Sequence, residues 1–185
     1  QLEGPQALEQ MAQRGLKNAA LAYLLKSDNE QYCELAVKQF ASSDNMTDSM
    51  AALTCLVNSP YKTAAEQALQ AFYQQWRSEP LVVNQWLAVQ AGSAEYGTLT
   101  NIKKLLEHEA FDIKNPNKVR AVIGTFAGQS LVNFHAQDGS GYELLADNII
   151  VLNRLNPQMA SRLIYPIHDI NNGPIGVLGI LNLVG

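Results

Sequence analysis

Apolar residues recur along this chain at helical intervals. Leu21, Leu24 and Leu25 stand at i, i+3, i+4, and Met50, Leu53 and Val57 at i, i+3, i+7. Leu69, Phe72, Tyr73 and Trp76 fill the complete i, i+3, i+4, i+7 template, and Val119, Val122, Ile123 and Phe126 fill it again. Strict apolar–polar alternation is nearly absent before the C-terminal end. The pattern predicts an all-α chain whose core holds Leu69, Phe72, Trp76, Val122, Ile123 and Phe126.

Start and stop signals cut this pattern into short helices. Asp28 or Asn29 can cap a helix reaching Ala41, and Asn45 with the acidic Asp48 three residues on opens another that reaches Asn58. Pro60, Pro80, Pro116 and Pro157 each stand where a first helical turn would begin, a place that tolerates proline because its missing N–H is already an orphan. Gly92 and Gly97 bracket one connection, and Gly139-Ser140-Gly141 marks another. Roughly ten helices joined by short turns result, and sequential antiparallel pairs of this kind stack as a bundle or an α-solenoid. No strict repeat period is visible, which argues against consensus TPR or ankyrin arrays.

From Tyr165 the composition changes. The segment YPIHDINNGPIGVLGILNLVG carries Gly173, Gly176 and Gly179, each of which weakens a helix by about 1 kcal/mol relative to alanine. Residues 1–164 therefore read as the helical body and 165–185 as an irregular tail. The start, Gln1-Leu2-Glu3-Gly4-Pro5, has neither an initiator Met nor a signal-peptide apolar stretch, and reads as a piece of something longer.

Composition narrows the function classes. Alanine and leucine, 22 and 24 of 185 residues, favour helix, and 47% hydrophobic against 16% charged excludes wholesale disorder. A net charge of −4 argues against nucleic-acid or anionic-membrane partners, and no run of eighteen apolar residues could span a bilayer. Cys33 and Cys55 are too few for a disulfide framework, which suits a reducing, cytoplasmic setting.

Candidate chemistry is sparse. His108-Glu109-Ala110-Phe111-Asp112 is the nearest approach to a metal motif, but a zincin needs histidines at i and i+4 around the glutamate, and here the second position is Asp112. His108 reads as a helix end facing the last carbonyls. His135 reads as a loop histidine with a structural hydrogen bond, since only His108 and His168 remain as partners. Cys33 and Cys55 read as packed thiols. Gly139-Ser140-Gly141 lacks the nucleophile-elbow spacing, no phosphate-binding glycine motif exists, and Trp76 and Trp86 fall at core spacing. No catalytic residue and no metal ligand emerges.

Two cations stand out. Arg120 follows Pro116 by four residues and Arg162 follows Pro157 by five, both among apolar neighbours. A cation near a helix start opposes the macrodipole by ~0.3–1 kcal/mol, which a purely structural role has little reason to accept. Their plain alternatives are snorkelling or a helix–helix ion pair. Their functional reading is a guanidinium fork addressed to a carboxylate or peptide carbonyls, from one shared concave surface.

Four segments in fixed order carry a resemblance: DNMTD (44–48), NPNKVR (115–120), FHAQDGSGY (134–142) and LNRLNPQMASRLI (152–164). Over roughly residues 14–164 the chain resembles the C-terminal helical domain of bacterial aminopeptidase N, the gluzincin-type, zinc-dependent alanyl aminopeptidase family. The resemblance implies an α-superhelix of HEAT- or armadillo-like helix pairs folded over a catalytic domain that is its partner. It places zinc in that domain and none in this chain, and it puts Arg120 and Arg162 against the distal, C-terminal side of a bound peptide substrate. The family's H-E-x-x-H and G-A-M-E-N motifs are absent here, so its catalytic roles fall on no residue of this chain. After R-L-I the family continues Glu-Pro-Leu into further helices, whereas Tyr165-Pro166-Ile167 departs from that pattern.

The leading expectation is thus a non-catalytic aminopeptidase domain that walls a peptide chamber. The alternative is a free-standing α-solenoid binding another protein on its concave face. A chamber wall should expose apolar surface, an independent module polar outer faces.

Overall fold

The structure, a computed structural model, describes residues 4–27 and 29–170, with side chains as far as Leu163. Every regular element among the described residues is helical. The chain divides into two compact units, residues 1–76 and 77–185.

The first unit holds α1 (Pro5–Leu24), α2 (Glu30–Ser42), α3 (Met46–Val57) and α4 (Lys62–Trp76). Its centre is α3, which packs on each of the other three helices. The sequence explains why. Ser49, Ala52, Leu53, Cys55, Leu56 and Val57 are all buried, so small and apolar side chains cover most of the circumference of α3. Leu21, Leu25, Ala36, Leu69 and Phe72 close the core from the neighbouring helices.

The helix starts are capped by side chains. Asn29 Oδ1 accepts from the Gln31 amide at 3.0 Å, and Asn45 Oδ1 from the Asp48 amide at 2.9 Å. Asp48 returns the bond by accepting from Asn45 Nδ2 at 2.8 Å. At Pro60 the structure differs from the sequence reading, because α4 begins only at Lys62. Ser59 is the reason: its hydroxyl accepts from the Tyr61 amide at 3.3 Å and donates to the Leu56 carbonyl at 2.6 Å, holding Pro60 in a turn outside the helix. Trp76 also departs from expectation. It is the last residue of α4 and only half-buried, whereas Leu69 and Phe72 are 3% and 1% exposed.

The second unit holds α5 (Pro80–Ala91), α6 (Leu99–Glu107), α7 (Pro116–Val119), a π-turn (Arg120–Gly124), α8 (Thr125–Gln129), α9 (Leu131–Phe134), α10 (Ser140–Leu155) and α11 (Pro157–Ile170). The α7, π and α8 segments run on without a break as one rod over 116–129, which gives ten helical rods among the described residues. That rod is the unit's core. Val119, Val122, Ile123 and Phe126 are each 0% exposed, and α5, α6 and α11 all pack on it.

Pro80, Pro116 and Pro157 stand at first helical positions. Where α8 ends, the Ser130 hydroxyl lies 3.2 Å from both the Ser93 and Gly97 carbonyls, and Asn133 Nδ2 donates to the Ala94 carbonyl at 2.9 Å. These bonds tie the α5–α6 connection to the rod. Gly139 precedes α10 with φ 76°, a left-handed conformation that favours glycine. Helix α11 runs to Ile170, beyond the boundary read at residue 164, and 171–185 lie outside the described residues.

Candidate functional site

Arg120 and Arg162 line one cavity of about 440 Å³ in the second unit. Its wall comes from the 116–129 rod through Pro116, Arg120, Gly124, Thr125, Gly128 and Gln129, and from the start of α11 through Asn156, Gln158, Met159, Arg162 and Leu163. No carboxylate is among these residues. Two positive charges therefore face a space with no compensating negative one among the described residues, an arrangement suited to an anionic or strongly dipolar acceptor.

Both walls begin at an Asn-Pro pair, and each asparagine caps its helix. Asn115 Oδ1 accepts from the Asn117 amide at 3.0 Å, and Asn156 Oδ1 from the Met159 amide at 3.2 Å. Met159 and Leu163 turn inward as α11's buried face, which leaves Arg162 on its exposed side. Arg120 is exposed too, and its Nη2 donates to Asn117 Oδ1 at 2.6 Å. Arg162 makes no hydrogen bond or ion pair to a described residue. Gly124 and Gly128 leave room in the floor. A Cβ on Gly128 would meet nothing within 4 Å, and one on Gly124 would reach only the ordinary contact distance of 3.7 Å from Leu163.

The other candidates do not converge on a site. His108 caps the C-terminal end of α6: its Nδ1 accepts from the Ala110 amide at 3.0 Å, and its ring packs on Trp86 at 5.1 Å. His135 shares a 2.5 Å hydrogen bond with the Tyr142 hydroxyl, and both rings pack against Phe134, that of His135 edge-on and that of Tyr142 tilted. The side chain of His168 lies outside the described ones. Burial pushes the Cys33 and Cys55 thiols above the usual thiol range, with Glu30 and Glu34 adding to the effect at Cys33. Among the described residues, no group of three or more His, Cys, Asp or Glu could hold a metal ion, so the residues present do not fit a zinc site. None of the described helices is long and apolar enough to cross a membrane.

A groove of about 740 Å³ in the first unit is lined by Cys33, Val37, Pro60 and Tyr61 with Glu30, Glu34, Lys38 and Lys62. Its charges balance, and it has no convergent polar cluster. This groove has no signature in the sequence. Nor does the sequence mark Asn117, which touches Arg120, or the π-turn that begins at Arg120.

Short helices packed on apolar seams within each unit, all-α throughout the described residues, are of the kind that builds an ARM-type helical domain. The chain belongs to the family described as "Domain of unknown function (DUF3458_C) ARM repeats", whose model matches residues 3–172. It is similar to aminopeptidase N of Escherichia coli strain K12, 39% identical over 159 residues, covering 86% of this chain and 18% of that protein. Aminopeptidase N of Haemophilus influenzae is 36% identical over the same shares. A crystal structure of Legionella pneumophila aminopeptidase A in complex with aspartic acid superposes with a TM-score of 0.82 at 33% identity, covering 94% of this chain and 20% of that one. The chain is thus homologous to the C-terminal domain of aminopeptidase N, and spans about a fifth of its relatives' length.

Proposed function

We propose that this chain is the non-catalytic C-terminal domain of a zinc aminopeptidase, and that it covers the active-site chamber and contacts the distal part of peptide substrates. The observation that carries the reading is the cavity shared by Arg120 and Arg162, two cations with no anion among the described residues of its wall. A guanidinium offers several donors in a rigid fork, so a pair of them can hold a peptide carboxylate or successive carbonyls in one orientation. The distal end of a peptide would sit here while its first bond is presented elsewhere.

The metal belongs to another part of the enzyme in this reading. The catalytic domain is the partner. The outer side of α1 supports this over a free-standing solenoid: Leu8, Met11, Leu16 and Tyr23 are 67–77% exposed, more apolar surface than an independent module would leave bare. Two unbridged cysteines support a cytoplasmic location.

An alanyl-anilide assay of the chain at saturating zinc should give no turnover, and turnover that copurifies with the chain would refute the non-catalytic role. In the full-length enzyme, Arg120→Ala or Arg162→Ala should weaken longer peptides by about 1–3 kcal/mol through a lost charge-assisted bond. A dipeptide mimic, which leaves the cavity empty, should lose much less. Equal losses for short and long substrates would make both arginines scaffold residues.

A further inference from the structure

Arg120 and Arg162 are not equivalent. Arg162 makes no hydrogen bond or ion pair to a described residue, whereas Arg120 is held twice over. At the tip of its side chain, Asn117 Oδ1 accepts from Nη2 at 2.6 Å across one helical turn. At its backbone, the Arg120 carbonyl accepts from the Thr125 amide and from Thr125 Oγ1, the latter at 3.1 Å. The amide bond spans five residues, so the chain is wound in a π-turn at Arg120.

The consequence is geometric. In an uninterrupted α-helix, about 100° per residue would point Thr125 and Gln129 roughly 140° and 180° away from Arg120. A π-turn admits one extra residue, so downstream positions lie about one residue closer in angle, near 40° and 80°. That rotation accounts for Thr125 and Gln129 standing in the same cavity wall as Pro116 and Arg120. A regular helix would turn both residues out of the site.

We infer that the π-turn and Asn117 preset Arg120 as the fixed half of a two-arginine clamp, with Asn117 and Thr125 as positioning residues and Arg162 as the mobile half that closes on the ligand. The inference rests on the reading of this cavity as a peptide contact and names the ligand chemistry as a carboxylate or a peptide carbonyl. Asn117 uses one donor of the guanidinium and leaves the others directed at the ligand, and it removes rotamer freedom that binding would otherwise have to freeze.

The test is nitrogen-15 NMR of the arginine side chains in this chain, with tetra-alanine as probe. Before peptide is added, the Arg120 Nη groups should give separate, slowly exchanging signals and those of Arg162 averaged ones. Asn117→Ala should merge the Arg120 signals, leave those of Arg162 unchanged, and weaken tetra-alanine binding about 2- to 10-fold. Asn117→Asp, which keeps an acceptor in place, should restore the separate signals. In an Arg120→Ala background, Asn117→Ala should cost nothing further in affinity. Separate Arg120 signals that survive Asn117→Ala, or an affinity loss that adds to that of Arg120→Ala, overturns the inference. If tetra-alanine moves neither arginine, the peptide-contact reading fails instead, and the signals of the peptide-free chain still decide the role of Asn117.

Discussion

Gly141 lies against the backbone carbonyl of Phe134, with no room for a side chain between them. The contact brings the first turn of α10 onto the end of α9 and seats Tyr142 beside His135, where the short hydrogen bond forms. A β-carbon there would collide with backbone, which cannot swing aside as a side-chain tip can.

Gly141→Ala should therefore destabilise the protein by about 1–3 kcal/mol, the usual cost of overpacking. Gly128→Ala should do the opposite. It adds a helix-favouring methyl with nothing within 4 Å, and should raise stability by about 0.5–1 kcal/mol. Urea midpoints of the two variants check both signs.

Phe72 and Trp76 share a ring contact at 6.2 Å but not the same burial. Phe72 is 1% exposed, so Phe72→Ala should cost about 3–5 kcal/mol. Trp76→Ala should cost clearly less, because part of that side chain's surface is already in water. Equal losses on urea unfolding would contradict the burial difference.

That pair also shows where the sequence was informative and where it was not. Periodicity placed both rings on one apolar stripe, but it cannot tell that α4 ends at Trp76 and leaves that ring at the rim. Asn-Pro and Asn-x-x-Asp marked helix starts because their chemistry is local. Ser59 displaced the start expected at Pro60 through a hydroxyl bond that no spacing rule weighs. The arginines stood out, since cations near helix starts are unusual. The π-turn left no trace in Arg120-Ala121-Val122-Ile123-Gly124. A rod packed on several sides buries most of its circumference, so the extra residue disturbs no apolar stripe.

Both thiols should react slowly with iodoacetamide at neutral pH, Cys55 the slower because it is only 8% exposed. Their pKa values are raised in the fold, so the folded state keeps protons that the unfolded chain releases. Stability should accordingly fall as pH rises through the unfolded thiol range, near 8.5. Fast labelling at pH 7 by a trapped thiolate would contradict this.

Asp138 accepts from the Ser140 hydroxyl at 2.6 Å and from its amide at 3.0 Å, which holds the Asp138 carboxyl below the usual carboxylate range. The stabilisation of this turn is present above the unfolded pKa and is lost as pH falls through the folded one. The protection factor of the Ser140 amide, exchange corrected for its intrinsic pH dependence, should fall in acid, and Asp138→Ala should show the lower protection already at neutral pH.

The open space over Gly128 has a consequence for how this protein can change. A β-carbon added there enters the arginine-lined hollow with no atom within 4 Å of it, so the depth of the hollow and the packing of the helices are uncoupled at that position. A single Gly128→Ala substitution can make the hollow shallower and leave the architecture intact. The depth of the hollow is thus free to drift by point mutation at that position.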